Sequence, residues 1–177
     1  NYAAGLQYLG KNNSTLRFKM IKYDKLALIG LIPNTYTSAN IPDDIPDPIG
    51  NYSDQYGNTT TQGILYGFVF SQSRLNGVMT TYVQILEDSQ NINNLPDKTY
   101  WITSDDTILK LEIKSDAVKY YIDDNCIHES SDPPYLNYYK VIVRQKTPGD
   151  CWDFIEIYSK SEKLVTHTSD YTKMINF

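Results

Sequence analysis

The stretch ILKLEIKSDAVKYYIDDNCIHES, residues 108–130, sets the reading of the whole chain. Leu109, Leu111 and Ile113 alternate with Lys110, Glu112 and Lys114. Successive side chains of an extended strand point to opposite faces, so the first set belongs to a core and the second to water. Ser115-Asp116 offers a turn, after which Val118, Tyr120 and Ile122 resume the inward face. A second polar corner, Asp123-Asp124-Asn125, precedes a third run. Residue types of this kind accept turn conformations, so the corner is expected to turn the chain rather than carry chemistry.

The same period recurs along the chain. Residues 16–21 alternate, with Leu16, Phe18 and Met20 set against Arg17 and Lys19. Residues 26–31 are a continuous apolar run, the pattern of a strand buried on both faces. Residues 64–70 form an aromatic-rich strand, and residues 79–86 follow Asn76-Gly77, a strong hairpin signal. Residues 139–143 and 154–158 complete the set, and helical periodicity is almost absent. Many short strands joined by polar turns predict an all-β, antiparallel two-sheet sandwich. Residues 1–160 are assigned to it, and residues 161–177 read as a C-terminal tail or an edge strand.

Composition narrows the function. The 177 residues allow one domain with a real core. A net charge of −5 argues against nucleic acid and anionic membranes as partners. No apolar run approaches the roughly 20 residues of a membrane helix, so no membrane insertion is expected. The opening Asn1-Tyr2-Ala3-Ala4-Gly5 lacks an initiator Met and reads as part of a longer chain. Asn-x-Ser/Thr triplets begin at Asn12, Asn13, Asn51 and Asn58 and are glycosylation acceptors if the chain is secreted. Cys126 and Cys151 read as one disulfide closing a loop of about 25 residues, worth roughly 3 kcal/mol in the chain-entropy model. The alternative is a pair of buried thiols in a reduced protein.

One segment breaks the rhythm. Residues 33–62 contain IPDDIPDPIGNYSDQYGNTT, whose prolines exclude a central strand. A connection this long inside a compact domain is usually functional or mobile. Sugar recognition needs aromatic faces beside polar groups, and the loop offers Tyr36, Tyr52 and Tyr56 next to Asp54 and Asn58. These five are the predicted ligand-binding residues. The same loop carries Asp43, Asp44 and Asp47, hard oxygen donors of the kind Ca²⁺ takes, although their spacing matches no EF-hand.

The order AAGLQYL, LRFKM, LALIGL, long loop, ILYGFVF resembles the first half of concanavalin A-like (LamG-like) lectin and glucanase sandwiches. Gly30-Leu31 and Tyr66-Gly67 stand where that superfamily has similar pairs, and residues 107–130 resemble its signature hairpin. Asp124-Asn125 replaces the usual Asn-Gly there. The resemblance spans residues 3–158 and implies a jelly-roll sandwich, with SPRY-type interaction domains sharing much of the pattern. The laminarinase-like hydrolases of the superfamily carry Glu-x-Asp-x-Glu on one strand, a triple this chain lacks. Its nearest counterpart is Asp153 and Glu156, which on a regular strand face opposite sides. His128 and His167 have no nucleophile motif beside them, and no Gly-x-Ser-x-Gly is present.

These readings converge on a non-catalytic recognition or attachment module of a larger surface or fibre protein. The expected partner is a glycan or glycoprotein receptor, and the expected location is extracellular, at a cell or virion surface. The rival expectations are a fibre-head domain that makes homo-oligomer contacts and an SPRY-like binder of proteins.

Overall fold

A computed structural model describes residues 2–20, 27–34, 64–87, 90–91, 100–130, 132–144, 152–160 and 162–168. It is an antiparallel β-sandwich. Its strands are β1 (Tyr2–Gly10), β2 (Ser14–Met20), β3 (Leu28–Pro33), β4 (Tyr66–Leu75), β5 (Val78–Glu87), β6 (Gln90–Asn91), β7 (Tyr100–Ile102), β8 (Leu109–Ile113), β9 (Val118–Ile122), β10 (Asn125–Glu129), β11 (Tyr138–Arg144), β12 (Trp152–Ser159) and β13 (Glu162–Thr168). The first sheet runs β1-β11-β3-β4-β5-β6, with β7 also on β5, and the second runs β10-β9-β8-β2-β12-β13.

Period-two alternation places the core where expected. Leu16, Phe18 and Met20 of β2 and Leu109, Leu111 and Ile113 of β8 are fully buried between the sheets. Phe18 meets Phe68 and Phe70 of the facing sheet edge-on, at centroid distances of 5.7 and 6.3 Å. Trp152 closes on Phe18 at 5.7 Å and Tyr120 on Phe68 at 5.4 Å. Edge-on contacts of this kind add about 0.5–1.5 kcal/mol beyond the apolar area they bury.

The two hairpins read from polar pairs both form. Asn76 and Gly77 have φ of 50° and 84°, and Leu75 pairs directly with Val78. Asp123 and Asp124 have φ of 46° and 62°, and Ile122 pairs with Asn125. Positive φ at both central positions is the two-residue turn that matches strand twist. The corner is therefore centred on Asp123-Asp124, one residue earlier than the Asp124-Asn125 pair. It is clamped from the side: Ile108 N donates to Asp123 Oδ1 at 2.8 Å, and Asp123 N donates to Ile108 O at 2.9 Å.

The two outer faces differ. On the first sheet, the outward Leu28, Ile32, Val69, Leu86 and Ile142 form a second apolar cluster with Ile64, each at most 1% exposed. The register aligns Ile142, Gly30, Gly67 and Leu86 across four adjacent strands. The two glycines leave a dip that Ile64 covers, since Cβ atoms added to them would come within 2.9 and 3.4 Å of its Cγ2. Around β3 the sheet is buried on both faces, as the unbroken apolar run of that strand predicts. The outer face of the second sheet carries interleaved cations and carboxylates, among them Arg17, Glu156, Lys110 and Glu112.

Candidate functional site

The outer face of the second sheet is built from the residues that alternate with the core. They are Thr15, Arg17 and Lys19 on β2, Lys110 and Glu112 on β8, Lys119 and Tyr121 on β9, and Phe154, Glu156 and Tyr158 on β12. Cations, carboxylates and rings interleave. Arg17 Nη1 bonds Glu156 Oε2 at 2.9 Å, and its guanidinium lies 4.9 Å from the Phe154 ring centre. Lys110 Nζ sits 4.1 Å from the Tyr121 ring centre, 3.3 Å from Glu112 and 3.1 Å from Asp124. The Tyr121 and Tyr158 hydroxyls donate to Glu112 at 3.0 Å and to Glu156 at 2.8 Å.

At one end this face opens into a hollow of about 750 Å³, lined by Asn12, Asn13, Thr15, Glu112, Lys114, Tyr158 and Lys160. Small-ligand sites occupy roughly 300–1,000 Å³. Register explains why these residues meet. Glu112 pairs with Thr15, and Thr15 with Tyr158, so three adjacent strands contribute one crosswise row. The small Thr15 in the middle leaves the dip. Two turns close the end, with Lys160 N donating to Asn13 O at 2.8 Å. Both turn residues have positive φ, 55° at Asn13 and 50° at Lys160.

The Glu112 carboxyl is held in its charged form. Burial works against the charge of Glu112, but the Tyr121 hydroxyl and the Lys110 and Lys114 ammoniums outweigh it and hold the carboxyl below the usual range. Burial first, and the bond to Glu112 second, push the Tyr121 phenol up to about 12. Lys19 Nζ lies 2.9 Å from Asp106 and 3.3 Å from Asp153. Its bond to Asp106 comes first among the causes that raise its pKa and lower that of Asp106.

Asp153 and Glu156 depart from the expectation that they face opposite sides. The register of β12 against β2 slips between Trp152 and Phe154, leaving Asp153 as an extra residue. A bulge resets alternation, so Trp152 points into the core while Asp153 and Glu156 both reach cations on the outer face. Nor is Glu156 solvated: it is 7% exposed beneath Arg17 and Tyr158.

A second polar constellation joins the sheets at one edge. His128 Nε2 lies 2.9 Å from Glu87 Oε1, and the His128 ring stands 5.4 Å from that of Tyr120. The register of β10 against β9 slips between Cys126 and His128, which turns His128 towards the facing sheet. Cys126 is an exposed free thiol whose Sγ lies 3.5 Å from His128 O, whereas Cys151 lies outside the described residues, and with it the expected pairing. The predicted ligand residues Tyr36, Tyr52, Asp54, Tyr56 and Asn58, and the predicted calcium ligands Asp43, Asp44 and Asp47, also lie outside the described residues. Among the described residues no group of three or more His, Cys, Asp or Glu could hold a metal ion. Asn12 and Asn13, which begin two of the glycosylation triplets, are exposed on the rim of the hollow.

No protein-family model matches the chain, and no curated protein matches it.

Proposed function

We propose that this protein is a non-catalytic recognition module that binds carbohydrate in the hollow on the outer face of its second sheet. The observation that carries the reading is the row Glu112, Thr15, Tyr158 with Asn12 and Asn13 at its end. It combines an aromatic ring, which suits the apolar face of a pyranose, with amide and hydroxyl groups that suit its hydroxyls. The strand order resembling concanavalin A-like sandwiches favours the same ligand class and a jelly-roll type of sandwich. An attachment role within a larger extracellular surface or fibre protein accords with it, the partner being a glycan or a glycoprotein.

The acids of the face support binding over hydrolysis. A glycosidase needs one carboxyl kept protonated near neutral pH. Glu112 is instead held below its usual range, and Glu156 and Asp153 are bound by Arg17 and Lys19.

A glycan array on the pure protein, with and without calcium, tests the reading. Signal on at least one glycan class is expected. It should disappear in Thr15→Arg, which fills the hollow from the outer face and leaves the core untouched. An array blank for the folded protein, or signal unchanged in Thr15→Arg, defeats the proposal.

A further inference from the structure

We infer that the hollow selects acidic saccharides, those carrying a negatively charged group such as the carboxylate of a sialic or uronic acid. The inference rests on the carbohydrate reading above and deepens it. The chain as a whole carries a net charge of −5. The hollow reverses that sign, with Lys114 and Lys160 against the single carboxylate of Glu112.

That carboxylate is already satisfied. Glu112 accepts the Tyr121 hydroxyl at 3.0 Å and has Lys110 Nζ at 3.3 Å. Lys114 Nζ stands 3.7 Å from it, too far for a good hydrogen bond, and its side chain is 38% exposed. Lys160 is exposed at the opposite lip and makes no ion pair with any described side chain. Its main chain is fixed all the same, by the 2.8 Å bond to Asn13 and the tight β12–β13 turn. Lys160 thus brings an exposed cation, on a fixed main chain, to a hollow also lined by Tyr158 and two amides, and that cation can meet the acidic substituent of a bound sugar. Two lysines at one hollow of an acidic protein also steer anionic ligands to that hollow.

Titration calorimetry on the pure protein tests this with lactose, 3′-sialyllactose and a glucuronate-terminated disaccharide, at 50 and 500 mM NaCl. At least one acidic sugar should bind about tenfold more tightly than lactose, the scale of one charge-assisted contact. Which acid binds identifies the source of the charge. The preference should shrink at high salt. It should fall severalfold in Lys160→Gln and in Lys114→Gln, with melting temperatures unchanged. If lactose binds as tightly as both acids and Thr15→Arg abolishes all binding, the preference for acids is overturned and the carbohydrate reading stands. If an acidic sugar is preferred but neither lysine substitution alters its affinity, the assignment to this hollow is wrong. If no sugar binds, both readings fall.

Discussion

His128 on β10 and Glu87 on β5 meet at 2.9 Å across the gap between the sheets, 41 residues apart in sequence. Two further ties lie beside them: the Tyr120 hydroxyl donates to Leu86 O at 2.8 Å, and the Tyr100 hydroxyl to Ile127 O at 2.9 Å. This edge of the sandwich is closed by polar contacts, where the centre is closed by rings. Both side chains of the pair are largely sheltered, at 24% and 13% exposure, so removing one leaves the other short of a partner away from water. Glu87→Ala and His128→Ala should each cost about 1–2 kcal/mol in urea unfolding. The double variant should cost less than the sum, with a coupling of about 1 kcal/mol. Strict additivity at constant m-value would show that the pair does not tie the sheets.

Gly30 and Gly67 make a different demand. A Cβ on Gly67 would stand 2.8 Å from Ile29 O and 3.0 Å from Gly30 Cα, both main-chain atoms that cannot rotate aside. Gly67→Ala should destabilise by about 1–3 kcal/mol, the range for overpacking a filled interior. Trimming the covering side chain with Ile64→Ala should not restore the loss, because the closest obstacles are backbone. Gly77→Ala gives the contrast. No atom lies within 4 Å of its would-be Cβ, but its φ of 84° penalises any side chain, for about 1 kcal/mol. Full rescue of Gly67→Ala by Ile64→Ala would refute the backbone account.

How much of this was legible beforehand follows from the range of the signal. Alternation at Leu109, Leu111, Ile113 and Val118, Tyr120 is local, and it placed both strands and their buried faces. Asn76-Gly77 and the Asp123 corner are also local, because positive φ is a property of one or two residues. β7 leaves no signal in the sequence, because three residues carry no period. Regular alternation puts Asp153 on the wrong face, because one unpaired residue shifts the alternation and no neighbour in sequence announces it. The row Glu112, Thr15, Tyr158 comes from three strands far apart in sequence, so only the register of β2 with β8 and β12 reveals it. In the tyrosine-rich loop, by contrast, aromatic and acidic residues are adjacent in sequence, and the ligand-binding expectation falls there for that reason.

The Asp123-Asp124 turn gives opposite outcomes at neighbouring positions. Asp124 has φ of 62°, and its side chain reaches only Lys110, in a contact where Asp124 is 91% exposed. Such an ion pair contributes little. Asp124→Gly should therefore stabilise, by about 0.5–1 kcal/mol, through relief of the left-handed conformation. Asp123 also has positive φ, but its Oδ1 accepts Ile108 N at 2.8 Å. Asp123→Ala should cost about 1 kcal/mol for the lost bond. Thermal unfolding of the two variants decides it, and melting temperatures that move in the same direction contradict the assignment of separate roles.

Tyr121 and Glu112 make stability depend on pH at both extremes. The Tyr121 phenol is raised from 10.0 to about 12, so the folded state favours its neutral form. Its contribution is complete below pH 10 and is lost as pH climbs from 10 through 12. The carboxyl of Glu112 is lowered from 4.5, so the folded state favours its charged form. That contribution is present above pH 4.5 and is lost as pH falls below it. Rapid-mixing titration at 295 nm, read before the chain unfolds, should give a wild-type minus Tyr121→Phe difference that rises near pH 12. Tyr121→Phe should also weaken the hold on Glu112 and make the acid limb of the stability curve shallower. A difference curve centred near pH 10 would mean that the phenol does not share its proton with Glu112 in solution.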